Sequence, residues 1–459
     1  MKPGKPRISE AGIPGELLPN LAALHPDRYP VLLESAAQGS LARYTILCAA
    51  PRAALWLDAA GKIGAFGVTP RAGGFFENLD TWTCATPKPA PPAGLLAEIP
   101  FRGGWIVYMG YEAAAEIERH LKLPPSQSPL TAFALRIEHF AVHELETGRV
   151  FAVSEESDAS AHDALVADLV SRAHESPPDG APIAAERVEE EAPELFLDRV
   201  RRVQEHIAAG DVYQANLSRA WRLRLRPGAT PAGVYAALRR SNPAPFAASV
   251  QFRGMTILSS SPERLLRIQG RDISTRPIAG TRPRHASRER DERETAELVA
   301  HPKERAEHVM LIDLERNDLG RVCEAGSVSV DEYMVTESYA HVHHIVSNVR
   351  GTLRANATAV DALRALFPGG TITGCPKLRC MQIIAALEGE GRGAYTGSLG
   401  WLGTDGDADF NILIRTLTLR GDEVELRAGA GIVADSIPAL ELEETRAKAR
   451  GLLRAFVTV

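Results

Sequence analysis

Nowhere in its 459 residues does this sequence string together the about 18 apolar residues that a membrane-crossing helix needs. Its start, MKPGKPRISEAGIPGELL, has basic residues but lacks the apolar run of a secretory signal. Those two absences give the expectation of a cytoplasmic protein with no membrane partner. An excess of positive charge is missing too. The formal net charge is -6, so phosphate backbones and anionic lipids meet no general attraction, which argues against nucleic acid as a partner. The five cysteines, Cys48, Cys84, Cys323, Cys375 and Cys380, are scattered and odd in number. That excludes a disulfide framework and paired zinc ligands, and leaves packing as their reading. Internal repeats and low-complexity tracts are absent as well.

What is present is a chain long enough for two or three domains, 45% hydrophobic and 24% charged. The largest change of composition is HESPPDGAPIAAERVEEEAPE, residues 174–194, rich in proline, alanine and acid. It reads as a linker or surface loop between an N-terminal region, 1–173, and a C-terminal one, 195–459. Before it, GGWIVYMGYEAA and FALRIEHFAVHEL read as strands. After it, Phe196, Val200, Val203 and Ile207 share one helical stripe that stops at Gly210. Two turn clusters, GTDGD and RGDE, divide residues 395–433 into an antiparallel meander, and LELEETRAKARGLLRAF closes the chain as a helix. Long helices among hairpins predict an α+β fold with large antiparallel sheets.

Two helices carry paired acids. Glu304 and Glu307 are three residues apart, and Glu441 and Glu444 repeat that spacing, with Lys448 one turn further on. Such a face is either simply solvated or a source of oxygen ligands for a hard cation such as Mg²⁺.

The segments GDVYQANLSR, SPERLL, RPIAGTRPR, ERAEHVMLIDLERNDLGRV, HVHHIVSNVRG, FPGGTITGCPK, AYTGSLGW, ILIRTL, GAGIVADS and EETRAKA follow one another in order. Together they resemble the chorismate-utilising enzymes: anthranilate synthase component I, aminodeoxychorismate synthase component I, isochorismate synthase and salicylate synthase. The resemblance implies their fold, two large packed sheets with helices outside, and their substrate, chorismate. It also implies roles for individual residues. Glu307 and Glu444 would hold Mg²⁺ with Glu304 and Glu441 beside them, Glu263 would protonate the departing 4-hydroxyl, and His344 would handle or orient a proton. Tyr395 and Arg415 would clamp the enolpyruvyl carboxylate. Thr373, Gly429 and Gly431 would bring backbone N–H groups to an anion, with Lys448 reaching the same charge, while Lys377 is left as structural.

Two positions separate the family by chemistry. Water-adding members carry a lysine where Gln214 stands; glutamine has no proton-accepting state near neutral pH, so ammonia is the implied nucleophile. At Ala279 many aminodeoxychorismate synthases have a lysine that attacks the ring, whereas anthranilate synthases have alanine, which forms no covalent intermediate. The neighbouring motifs YQAN, FPGG, TGSLG, DFN and VHH nonetheless resemble aminodeoxychorismate synthases. The resemblance therefore implies component I of an aminodeoxychorismate synthase that works without the lysine, making 4-amino-4-deoxychorismate for p-aminobenzoate and folate. Anthranilate synthase component I is the alternative, and an idle chorismate- or tryptophan-binding paralogue a third reading. No GxCxGxQ motif is present, so a separate glutaminase subunit is implied as the ammonia source. Glu34, Ser35, Pro243 and Phe246 resemble the family's tryptophan pocket, a possible second ligand site. His285, Ala408 and Cys375 depart from the family pattern.

Overall fold

The computed structural model describes residues 6–37, 43–155, 159–172, 175, 179–284, 287–338 and 342–458. His285 lies outside them. Among the described residues the chain forms a 13-stranded and an 11-stranded sheet, with helices on their outer faces. Almost every strand pairing is antiparallel; Ile183–Glu190 beside Phe456–Thr458 is parallel.

Side-chain alternation explains why the sheets pack. On the strand Gly104–Met109, Ile106 and Tyr108 join Val31, Phe140, Val250 and Ile257 of the other sheet in a core between the two. Trp105, Val107 and Met109 face outward into a second core under Phe75, Leu79, Leu363 and Leu366 of two helices. Both faces are buried, so the strand reads as an unbroken apolar run and not as an alternation. A third core sits under the other sheet, where Trp221, Leu223, Leu417 and Leu426 meet Leu21, Leu238 and Leu452.

The helix expected after the acidic segment is Pro193–Ala208, and its Phe196, Val200 and Val203 are buried. The acidic segment itself is not only a loop. Ile183–Glu190 is a strand bridging Gln214–Leu225 and Phe456–Thr458, because a sheet edge recruits a polar strand readily when one face alone is covered. Both sheets also run across the division between 1–173 and 195–459: Glu34 pairs with Ala247, and Trp105 with Leu402.

The expected meander corrects to two hairpins in different sheets. Ser398–Gly403 and Ala408–Ile412 belong to the smaller sheet, Thr416–Arg420 and Glu423–Ile432 to the larger. The chain crosses between sheets at Leu413–Arg415. It makes a second crossing at Pro262–Glu263, between Met255–Ser261 in the larger sheet and Arg264–Gln269 in the smaller.

Candidate active site

Those two crossings carry Glu263 and Arg415, two of the residues expected at the site. Glu263 is held by its own backbone: its N–H donates to Ser261 Oγ at 3.3 Å and its carbonyl accepts from Ile412 N–H at 3.0 Å, so the crossings brace each other. Arg415 has φ +52, a left-handed conformation uncommon outside glycine, and its carbonyl accepts from Ser260 N–H at 3.0 Å. Leaving the sheet in this way aims both side chains out of the strand alternation and into the space between elements.

Glu263 is 5% exposed and its Oε1 has no hydrogen-bond partner among the described residues. Burial pushes its carboxyl up to about 7 against the pull of the Thr371 hydroxyl, the Ile278 amide, and the charges of Lys448 and Arg415. His344 moves the other way. Burial, then the charge of Arg415, brings it down to about 4, so it is a neutral imidazole, and its Nδ1 donates to Gly280 O at 3.3 Å. Arg415 itself is lowered by burial while Glu263 opposes the shift.

Opposite, the strands Gln214–Leu225 and Glu423–Ile432 pair Asn216 with Gly431 and Ser218 with Gly429. A Cβ on Gly429 would stand 2.7 Å from Tyr395 Oη and 2.9 Å from Asn216 Oδ1, and one on Gly431 2.3 Å from Gln214 Nε2. Glycine is required at Gly429, where a Cβ would also stand 2.4 Å from the Leu217 carbonyl, whereas at Gly431 a Cβ would displace the end of the Gln214 side chain. Lys448 Nζ donates to Gly429 O at 2.9 Å and pairs with Glu444 at 2.7 Å. Tyr395, raised by burial to about 12, remains a phenol. Besides Glu263 Oε1, the buried Gln214 Oε1 and Asn216 Oδ1 lack protein partners among the described residues, and Thr371 Oγ1, though near enough to Glu263 to lower its carboxyl, makes no hydrogen bond with it. Buried polar atoms seldom go unsatisfied, and four of them on the segments that frame one site mark a place for a polar ligand.

The structure thus brings Glu263, His344, Arg415, Gln214, Tyr395, Gly429, Gly431 and Lys448 to one place. Thr373 lies beside Asn216, whose N–H donates to its carbonyl at 2.9 Å, while its own N–H and hydroxyl turn back to Gly370 O at 3.3 Å and Gly369 O at 2.9 Å; Thr371, two residues earlier, lies close to Glu263. Asn216 and Thr371 were not singled out in the sequence; the alternation of side chains around Gln214 and Thr373 is the signal that could have found them. Ala279 is half-buried and pairs with Ile345, just before a bulge at Gly280 whose φ is +65.

The acidic helices are Pro302–Gly320 and Pro438–Leu453. Glu304 pairs with Arg282 at 3.3 Å and lies against Gly280, where a Cβ would be 2.8 Å from its Oε2. Glu444 is felt by Tyr395. Each helix therefore sets a carboxylate at the pocket from a different side, and hard oxygen donors suit Mg²⁺. Among the described residues no group of three or more His, Cys, Asp or Glu forms a ready metal cage, so a cation here would draw ligands from substrate and water as well.

A cavity of about 530 Å³ lies between the sheets and is lined by Glu34, Ser35, Phe246, Arg264, Trp401 and Asp409. Glu34 lines it as expected, but its carboxylate is already engaged: Tyr235 Oη donates to it at 3.0 Å and Arg239 Nε at 2.8 Å, both from the helix Pro231–Ser241. Pro243 is not among the lining residues.

Comparison with known proteins follows this geometry. Residues 31–454 match the family described as chorismate binding enzyme. The chain is 44% identical over 387 residues, 80% of it and 74% of the relative, to anthranilate synthase component 1 of Streptomyces coelicolor. It is 41% identical over 369 residues, 78% of it and 77% of the relative, to aminodeoxychorismate synthase component 1 of Bacillus subtilis. The crystal structure of anthranilate synthase component I from Streptococcus pneumoniae superposes with a TM-score of 0.78 at 30% identity, covering 90% of this chain and 93% of that one. The chain belongs to the family of chorismate-binding enzymes.

Proposed function

We propose that this chain is component I of an aminodeoxychorismate synthase, which replaces the 4-hydroxyl of chorismate by ammonia to give 4-amino-4-deoxychorismate. The observation that carries the reading is Glu263, a buried carboxyl held near 7 beside the Arg415 guanidinium. Hydroxide is a poor leaving group, and a carboxyl that keeps its proton near neutral pH can deliver it as the C–O bond breaks, so that water departs. Ammonia adds to the ring and its surplus proton is lost, so ring alcohol and ammonia become ring amine and water.

Gln214 supplies no base, which fits ammonia as nucleophile and disfavours activated water. Asn216 and Thr371, polar where they line the site, suit an amine and a hydroxyl close to the ring. Neutral His344, fixed by Gly280, orients without adding charge. Arg415, Tyr395 and Lys448 offer donors for the substrate's two carboxylates. Glu307 and Glu444, with Glu304 and Glu441, would hold Mg²⁺, which would supply positive charge to a substrate carboxylate.

Ammonia is proposed to come from a separate glutaminase subunit. All five cysteines are free thiols, and burial pushes Cys323 up to about 11 and Cys380 to about 12, far from a nucleophilic state. The 530 Å³ cavity is the proposed place for tryptophan, through Ser35 and Phe246 and without Glu34.

One observation favours the second reading, anthranilate synthesis. Ala279 forms no adduct, and direct attack at C2 needs none. Chorismate, Mg²⁺ and ammonium incubated with the purified chain separate the two. p-Aminobenzoate appearing only when an aminodeoxychorismate lyase is added supports the proposal; fluorescent anthranilate without the lyase overturns it.

A further inference from the structure

Behind the site lies a guanidinium whose five N–H groups are all engaged. Arg392, 2% exposed, sits between the helix Lys377–Glu388 and the strand Ser398–Gly403. Its Nε donates to Glu388 Oε2 at 3.0 Å, and its Nη2 to Glu388 Oε1 at 2.7 Å. The other three bonds go to the segments that frame the site. Nη2 donates to Asn216 O at 2.7 Å, and Nη1 donates to Ile372 O at 3.2 Å and to Thr396 Oγ1 at 3.4 Å. A guanidinium offers five donors in a fixed plane, and here none is spare.

Each of those three contacts stands next to a group already placed at the site. Asn216 carries an unpartnered Oδ1, and its N–H donates to Thr373 O at 2.9 Å, which ties the strand to the turn. Ile372 lies between Thr373 and Thr371, and Thr371 lies close to Glu263. Thr396 follows Tyr395 with φ +62, and its N–H donates to Leu413 O at 2.8 Å, at the crossing that carries Arg415. The guanidinium also lies over the ring of Tyr395, at 5.6 Å, and that of Tyr111, at 4.9 Å. One planar cation therefore joins the strand, the turn and the crossing that meet at the site.

Arg392 is itself held in place. Glu388, 4% exposed, accepts from Ser218 N–H at 2.8 Å, from the Ser218 hydroxyl at 3.0 Å and from Arg427 at 3.4 Å. Burial pushes the Glu388 carboxyl up, but the charges of Arg392 and Arg427 outweigh burial and hold it below its usual range, so the ion pair persists. A buried pair of this kind adds little net stability, and what it fixes here is where its neighbours stand.

We propose that Arg392 is a positioning residue for this site: from behind, and without touching substrate, its bonds set Asn216, Thr371 and Tyr395 in register with one another. The inference rests on this site being the place where chorismate reacts, whichever ring carbon is aminated. Arg392→Lys keeps a charge beside Glu388 but supplies three donors where five are used. With chorismate consumption as the readout, kcat/KM should fall about 10- to 30-fold in the parent. In a chain that already carries Asn216→Ala and Thr371→Val, the same change should cost about threefold or less, because groups it positions are gone. A merely structural arginine gives the same factor in both backgrounds, and that result overturns the inference.

Nuclear magnetic resonance of the resting protein, with nitrogen-15 in asparagine alone, needs no substrate and so separates this inference from the assignment of function. The side-chain amide signals of Asn216 should shift or broaden in Arg392→Lys, while those of Asn348, bound to Asp331 at 2.6 Å on another strand, stay in place. Should Arg392→Lys not fold, Thr396→Ala removes one of the five bonds alone and should move the same signals. Asn216 signals that coincide with the parent's in the variant that folds contradict the positioning role.

Discussion

The cavity between the sheets and the site at the sheet crossings are built from similar side chains and handle charge in opposite ways. In the cavity between the sheets three carboxylates are settled, Asp409 by Arg264 at 2.8 Å, Asp407 by Arg102 at 3.0 Å and Glu34 by Arg239, although burial lowers Arg267 there too. At the sheet crossings charges are not settled. Glu263, Arg415 and His344 are each pushed toward their neutral forms by burial, and buried oxygens and amides go without partners. Satisfied charge makes a binding pocket or a scaffold. Unsatisfied charge, maintained against its own cost, marks where a ligand completes the network and a proton moves.

Mutations should separate the two regions. Glu263→Gln keeps the shape and removes the proton, and kcat for chorismate consumption should fall about 10²- to 10⁴-fold. Arg415→Lys replaces a planar fork by a point charge, and kcat/KM should fall about 10- to 100-fold with most of the loss in KM. Thr371→Val should lower kcat about fivefold, about the worth of one hydrogen bond to a polarised group. Thr373→Val should instead lower thermal stability, because its hydroxyl is spent on backbone carbonyls. In the other region, Glu34→Gln should leave chorismate turnover within about twofold and destabilise the chain by about 1–3 kcal/mol in denaturant unfolding. A large loss of turnover there would erase the contrast.

Much of the site was legible in the sequence because its residues sit in short motifs whose chemistry is local. SPER, IRT and VHH each supply one member and GAGIV two, and all four motifs converge. The amphipathic helix Pro193–Ala208 was legible for the same reason: three buried residues on one stripe need only their own helix to be seen. What stayed hidden depends on which distant segments meet. Residues 398–432 read as one meander because turn signals do not say which sheet a hairpin joins; the crossing at Arg415 is decided by packing between two layers. Ile183–Glu190 looked like a linker because its burial is one-sided and its pairing partners lie far along the chain. Glu34 does line the pocket, but that Tyr235 and Arg239 of a distant helix engage its carboxylate could not be read from its own motif. Thr371 and Thr373 differ only in which way a tight turn points them.

The central claim is that Glu263 holds its proton near neutral pH, and folding stability tests it without any assumption about the product. The folded chain keeps this proton up to about 7, whereas the unfolded chain releases it above the ordinary 4.5. Its contribution is therefore present below 4.5 and lost as pH rises to about 7, a penalty of up to about 3 kcal/mol that Glu263→Gln should remove. Other carboxyls titrate alike in both proteins and cancel in the difference. Denaturant unfolding of the native chain and of Glu263→Gln from pH 4.5 to pH 8 should give curves that diverge with rising pH, the variant becoming the more stable; curves that stay parallel across that window would contradict the account.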